Sequence, residues 1–383
     1  MGCRAIATVL FATLWLVAAG SASEAEKEAK PAEASGTQPE VLAFDGFDGK
    51  LALKWEPVRP DPSHVSLTKH PGKLTIVTQR GSIHGDEKHD ELGAGIQAKN
   101  IYVIRNPLAK GEDFVIATCI ESFHPKTHYQ QAHLVVYDDD DNYLKWGIEW
   151  SSEFTSGRCF VFLRETSQKS SFQWSEANPP TERVWLRIIK RGKSYEHLYS
   201  YDGRQYTAVG EKTWGSGTPK WVGILAKNGG NPEADDIAAC FDFFELRRLT
   251  AAEKNDPLHL DVQRLQGTWK VRSCRISGKV LAESTLSRFV FGEDGLTARE
   301  GSEALKSEYK LDVSKKPKQL VLSSLFGQPG RSVRAIYSLE GDKLLICFDP
   351  RPGAATPDKL ETKEGDDRWL VTLEREKEAE KTR

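Results

Sequence analysis

The stretch 138–150 constrains this chain more than any other, because an acidic turn runs directly into a strand with two chemically different faces. Side chains alternate along a strand, so Leu144, Trp146, Ile148 and Trp150 share one face, and Tyr143, Lys145, Gly147 and Glu149 share the other. The first set predicts a buried core face. The second places a ring, an amine and a carboxylate around a glycine gap, which suits a surface that reads a polar ligand.

The surrounding region, 41–249, is strand after strand. The runs 74–78, 114–120, 132–137, 159–163, 184–189 and 221–226 are rich in β-branched and aromatic residues, and Gly, Pro, Asn or Asp bounds each of them. No helical period longer than two turns intervenes, so this region is expected to be an all-β sandwich. Its order of motifs runs Phe47-Asp48-Gly49 with Leu53 and Trp55, His70-Pro71-Gly72-Lys73-Leu74, Gln131 through Tyr143, Trp185-Leu186-Arg187, Tyr199 through Gly203 with Tyr206, and Ala239 through Phe244. That order resembles the concanavalin A-like domain at the C-terminus of β-xylosidases, and the Lys145-x-Gly147-x-Glu149 step resembles a related uncharacterised branch of that superfamily. The resemblance implies a jelly-roll sandwich in a carbohydrate context. The catalytic carboxylates of those enzymes belong to a separate propeller, so it implies no hydrolytic machinery here.

Residues 250–257 are polar, end in Pro257 and mark a boundary. Beyond them, a short apolar helical face over 258–265, then Gly267-Thr268-Trp269 and a meander with a Glu340-Gly341-Asp342 hairpin turn, predict a small antiparallel barrel over 258–377. The match over 261–375 resembles the lipocalin-like domain of unknown function that recurs in exported planctomycete proteins. It implies that Trp269 plugs the closed end, with Arg375 over it. A charged tail, 378–383, follows.

Arg4, the apolar run 5–20 and the small residues Ser21-Ala22-Ser23 read as a signal peptide over 1–23. A membrane anchor is the alternative, although a span needs about twenty apolar residues and this run is shorter. The stretch 24–40 is rich in Glu, Ala, Lys and Pro, lacks the apolar residues to order itself, and reads as a tether. The expected location is therefore secreted, periplasmic or cell-envelope, with no membrane span once the leader is cleaved. With 53 basic against 55 acidic residues, no excess charge points to nucleic acid or an anionic membrane surface. Loss of Cys3 leaves Cys119, Cys159, Cys240, Cys274 and Cys347, an odd set with no metal spacing, expected as buried thiols. Cys274 and Cys347 could pair if their strands are neighbours.

The candidate ligand-binding set is Gln131, His133, Tyr143, Lys145, Glu149, Trp174, Arg187 and His197. Trp185, Arg191, Tyr195, Tyr199 and Tyr201 are read with them as polar or aromatic side chains off the core face. Flat rings beside hydrogen-bonding groups suit sugars, which offer apolar C–H faces ringed by hydroxyls. Lys145 and Glu149 lie about 13 Å apart along the strand, so Arg187 or His197 is expected to hold Glu149. Asp138, Asp140, Asn142 and Glu149 match calcium-loop positions, but Tyr143 stands where the sharp turn needs glycine, which leaves Asp138 and Asp140 as a looser calcium candidate. His124, His128 and His133, with the pair His84 and His89, raise zinc, but Pro125 breaks the helix that would stack the first two. No nucleophile elbow, zinc-protease helix or phosphate loop is present, and no cofactor is expected. The reading is an exported non-catalytic carbohydrate-binding or accessory protein. The alternatives are a glycan-active enzyme working from the polar face, and a structural or protein-interaction module.

Overall fold

The structure is a computed structural model that describes residues 39–84, 95–152, 155, 157–175, 178–230, 232–281, 286–292, 295–323 and 332–376. The leader 1–23, the tether as far as residue 38, His89 and the tail 378–383 lie outside the described residues.

In chain order the first region contains β1 (Val41–Asp45), β2 (Glu56–Val58), β3 (Val65–Ser66), β4 (Leu74–Val77), β5 (Ile101–Arg105), β6 (Phe114–Phe123), β7 (Gln131–Asp139), β8 (Asn142–Ser151), β9 (Gly157–Thr166), β10 (Lys169–Ser175), β11 (Glu182–Arg191), β12 (Ser194–Ser200), β13 (Thr207–Thr213), β14 (Trp221–Lys227) and β15 (Ala238–Arg247). They make a jelly-roll sandwich. The first sheet runs β13-β12-β11-β6-β15-β4-β3 with β1 beside β15, and the second runs β10-β9-β8-β7-β14-β5-β2. Leu144, Trp146 and Ile148 of the second sheet meet Ile116, Leu186 and Ile188 of the first in one core. Trp146 also donates its indole N–H to the Leu198 carbonyl across the gap, at 2.9 Å.

The Phe47 to Trp55 motif is a structural turn built on one carboxylate. Asp45 is fully buried and accepts from the backbone of Phe47 (2.9 Å) and Ala52 (2.8 Å) and from the Trp55 indole (2.8 Å). With the Leu53 amide at 3.2 Å as the fourth donor, the buried carboxylate is satisfied where it would otherwise be costly.

The polar boundary is structured. Thr250 caps α1 (Ala251–Lys254) through a reciprocal box with Glu253, and Asp256 caps α2 (Pro257–Leu265) by accepting from the His259 amide at 2.9 Å. Glu253 also takes both guanidinium arms of Arg247, at 2.8 and 2.7 Å. The connection is therefore fastened to the sandwich.

The second region contains β16 (Gly267–Ile276), β17 (Lys279–Val280), β18 (Leu286–Gly292), β19 (Gly295–Glu300), β20 (Glu303–Asp312), β21 (Lys318–Ser323), β22 (Ser332–Glu340), β23 (Lys343–Phe348) and β24 (Trp369–Arg375). β16 pairs with both β18 and β24, which closes an eight-stranded antiparallel barrel with β17 outside the ring. Trp269 is fully buried, donates to the Leu265 carbonyl at 2.7 Å and lies 4.2 Å beneath the Arg375 guanidinium. Cys274 and Cys347 sit on either side of β24, opposite Val371 and Leu370. Consecutive residues of a strand point to opposite faces, so the two thiols flank opposite sides of the wall and remain free. The possible disulfide is thereby excluded. Among the described residues no helix is long and apolar enough to cross a membrane.

Candidate functional site

On β7 and β8, Gln131 stands opposite Glu149 and His133 opposite Gly147. Their side chains leave the sheet on the side away from the core, as the alternation predicts. Yet the face is closed: Gln131, His133, Tyr143, Lys145 and Glu149 are each no more than 4% exposed. Lys145 donates to the Gln131 amide oxygen, and its Nζ lies 3.6 Å from Glu149 Oε2. The expectation that these two residues are too far apart to pair is therefore wrong. The backbone separation is bridged by two long side chains leaning toward each other over Gly147. Only glycine fits at 147, since a Cβ there would lie 2.2 Å from the Ala132 carbonyl oxygen and 2.5 Å from the His133 ring.

Burial sets the electrostatics of this face. It pulls Lys145 below the ordinary lysine range against the opposing pull of Glu149. His133 is held neutral, well below the usual histidine range, by burial and by the nearby charges of Lys145 and Lys227. Its ring nitrogens make no well-formed hydrogen bond. Glu165, beside Tyr143 on β9, is pushed up to about 7 by burial and by Asp141. Part of the cover comes from upstream chain: Lys227 donates to the Gly81 carbonyl at 2.9 Å, and Ile83 packs in one cluster with Val135 and Leu225. Trp174 stands on the edge strand opposite Val161, in the same cross-strand row as Gly147 and His133, and is partly buried.

Arg187 and His197 do not join this group. Both belong to the first sheet, where Ile188 stands opposite His197 and Leu186 opposite Tyr199. Residues directly opposite share a face, so His197 and Tyr199, read from the sequence as outward, turn into the core. His197 is fully buried with its ring stacked on Phe162 at 4.2 Å, and Tyr195 is also fully buried. Arg187 lies on the outer face of the first sheet, on the opposite side of the sandwich from Glu149. Its guanidinium is 3.7 Å above the Tyr206 ring and 3.6 Å from Glu253. Arg191 is engaged by Glu196 at 2.9 Å.

The acidic hairpin turns its carboxylates toward protein donors. Asp140 takes both arms of Arg59 (2.8 and 3.0 Å) and the Tyr137 hydroxyl (2.7 Å), while Asp138 accepts from the Lys220 amide at 2.7 Å. Of the histidines, His124 is exposed, His128 accepts from the Ser152 amide at 3.1 Å, and His133 lies within the closed face. Among the described residues the one set of metal-ligating types brought within 4.8 Å is Cys119, Glu121 and Asp242. Its carboxylates are held by Arg183 (3.1 Å from Glu121) and by Lys73, which binds Asp242. Burial and the two carboxylates push the Cys119 thiol up to about 12, away from the thiolate that binds metals.

That same outer face of the first sheet carries three aromatic rings, the half-buried Trp185 and Phe243 and the exposed Phe44. Trp185 stands opposite the small Cys119, and the β15 bulge between Phe241 and Phe244 leaves Asp242 and Phe243 outside the ladder register. The Phe44 ring, 51% exposed, stacks on Phe243 with centroids 6.1 Å apart. Gly203 at φ 70° lies against the Trp185 indole, where a Cβ would come within 2.9 Å. Sequence reasoning missed Phe44 and Phe243. Their signal was the phenylalanine-rich run 241–244, in which a strict alternation cannot bury every ring.

Residues 96–249 match the family described as "Protein of unknown function (DUF1349)". No curated protein matches the chain. Among solved structures, the chain is similar to the GH43 BlXynB protein from Bacillus licheniformis (25% identity, TM-score 0.45), with 54% of this chain and 39% of that one covered. It is also similar to a xylan beta-1,4-xylosidase from Bacillus halodurans (18%, TM-score 0.44; 55% and 40% covered). A third is the CBM2 module of the evolved Dit protein of Lactobacillus casei BL23 phage J-1 (7%, TM-score 0.40; 54% and 95% covered). The chain thus spans about two fifths of the length of the two bacillar proteins.

Proposed function

We propose that this is an exported, non-catalytic carbohydrate-binding or accessory protein of the cell envelope, and that it holds a neutral polysaccharide on the outer face of its first sheet. The observation that carries this reading is the set of rings Trp185, Phe243 and Phe44 on one outer face, the last two stacked on each other. From β11 to β15 is two strand spacings, roughly 10 Å, close to the length of a disaccharide unit. Rings so spaced can stack on the C–H faces of alternate sugars. Beside the row, Lys73 with Asp242 and Arg183 with Glu121 offer donors and acceptors to hydroxyls, and each pair is neutral as a unit.

A glycan-active enzyme working from Lys145 and Glu149 has less support, since the two groups are buried and engaged with each other. The export reading rests on the leader 1–23, and the lipocalin-like reading of the barrel rests on Trp269 beneath Arg375.

The test is co-sedimentation of the chain lacking 1–23 with insoluble cellulose, xylan, mannan and chitin. Retention by at least one, lost in Trp185→Ala and Phe243→Ala variants that melt normally, is the expected result. Absence of retention, or equal retention of both variants, would leave the sandwich as a structural or protein-interaction module.

A further inference from the structure

Where the open edge of the sandwich meets the barrel there is a cavity of about 540 Å³. The sandwich contributes strands β10, β12 and β13, and the barrel side contributes α2 and the neighbouring strand ends. The volume falls in the range of small-molecule sites, and junctions between folded units are favoured places for them. Nothing in the aromatic row of the first sheet depends on it.

The wall is built to hold hydroxyls. Glu196 is 7% exposed, and its carboxylate is fixed by Arg191 at 2.9 Å. Directly opposite it on β13, Glu211 accepts from Ser194 and meets His259 Nδ1 at 2.9 Å, a contact that itself crosses from sandwich to α2. Gln173 donates to the Val209 carbonyl at 3.3 Å, and its own amide oxygen has no donor. Gly210 makes room for that amide, because a Cβ there would lie 2.4 Å from the oxygen. Two rings complete the lining: Phe172 from the sandwich, 53% exposed, and Tyr309 from the barrel, whose hydroxyl accepts from Gln266 at 3.0 Å.

The character of the wall selects the class of ligand. Glu196 is matched by Arg191 and Glu211 is tied to His259, so neither is a bare carboxylate waiting for a cation. A lipid would need a continuous apolar lining, and these carboxylates and amides interrupt it. Rings for apolar sugar faces and anchored acceptors for paired hydroxyls remain. We infer that this cavity is a second binding site, taking a neutral oligosaccharide of two or three sugars clasped between sandwich and barrel. The choice of sugar rests on the carbohydrate reading above, whereas the location does not.

The experiment is titration calorimetry of the chain lacking 1–23 with cellotriose, maltotriose, mannotriose and triacetylchitotriose at concentrations up to the millimolar range. At least one should bind. Gln263→Trp places bulk from an exposed position of α2 into the cavity and should weaken that binding more than tenfold. Glu196→Gln keeps the shape and should weaken it about tenfold, with the melting curve checking the fold of both. Failure of all four sugars, or undiminished binding by Gln263→Trp, overturns the inference even if insoluble polysaccharide still retains the protein. Trisaccharide binding that Gln263→Trp abolishes, without any retention on polysaccharide, would sustain the cavity and refute the aromatic row.

Discussion

Replacing His197 by phenylalanine should remove a defined part of the protein's acid sensitivity. The ring is fully buried between Trp146, 4.8 Å away, and Phe162, 4.2 Å away, and neither nitrogen makes a well-formed hydrogen bond. Burial pulls its pKa from 6.5 to about 3 against a contact with the Tyr195 backbone that favours the charged ring, and the Lys212 charge adds to the lowering. The unfolded chain therefore binds a proton near pH 6.5 that the folded chain refuses until near pH 3, and stability is lost as pH falls through that window. One such group costs about 1.4 kcal/mol per pH unit, or about 3 kcal/mol at pH 4.5 relative to neutrality. His133, shifted in the same direction, remains in the variant, which therefore keeps part of the histidine-linked loss. At pH 7.5 the variant should be equal to or more stable than the wild type, because phenylalanine fills the site without two buried polar atoms. Urea denaturation at half-unit intervals from pH 7.5 to 4.5, followed by tryptophan fluorescence, gives the difference directly. Groups common to both chains, including Glu165 with its opposite trend, cancel in that difference. Parallel profiles for variant and wild type would refute the reasoning, since they would mean that the folded state protonates His197 normally.

Truncating Trp269 to alanine should cost about 3 to 5 kcal/mol and expose the barrel to proteolysis first, measured by urea denaturation and fragment mapping. Lys145→Met alone leaves the Glu149 carboxylate buried without its amine and should cost about 3 to 5 kcal/mol, whereas adding Glu149→Leu should recover most of that in the same assay. Limited proteolysis should spare 250–257 in the wild type and cut there in Glu253→Ala, because that carboxylate both caps α1 and holds Arg247.

The sandwich was legible because alternation and turn residues act locally. The faces of β8 follow from Leu144, Trp146 and Ile148 alone. The candidate site was only partly legible, since it depends on which strands lie side by side. Parity within β12 says that Tyr195, His197 and Tyr199 share a face, but only the pairing of Ile188 with His197 says which face that is. Polarity pointed outward, and the pairing points inward. The same gap hid the separation of Arg187 from Glu149, because residues on two sheets can share a pattern without sharing a surface. The reach of Lys145 toward Glu149 was missed for another reason: backbone spacing limits where Cβ atoms lie, and two long side chains can lean together across two residue steps when the residue between them is glycine.

The closed polar face of the second sheet bears on how the open face of the first can serve a ligand. Hydrophobic residues at Lys145 and Glu149 would be at least as stabilising as a buried ion pair, so stability does not account for the pair. Register does. A slip of β8 by one residue would turn both charges into the core among Phe160 and Phe162 and drive Trp146 outward, an exchange whose desolvation cost excludes it. The same slip would break the fit of Gly147 under the His133 ring. With β8 so fixed, β7 and β9 on either side of it are fixed as well, and the core that the two sheets share is set. The outer face of the first sheet then needs no polar groups for register, which leaves it able to carry the exposed Phe44 ring beside the half-buried Phe243 and Trp185.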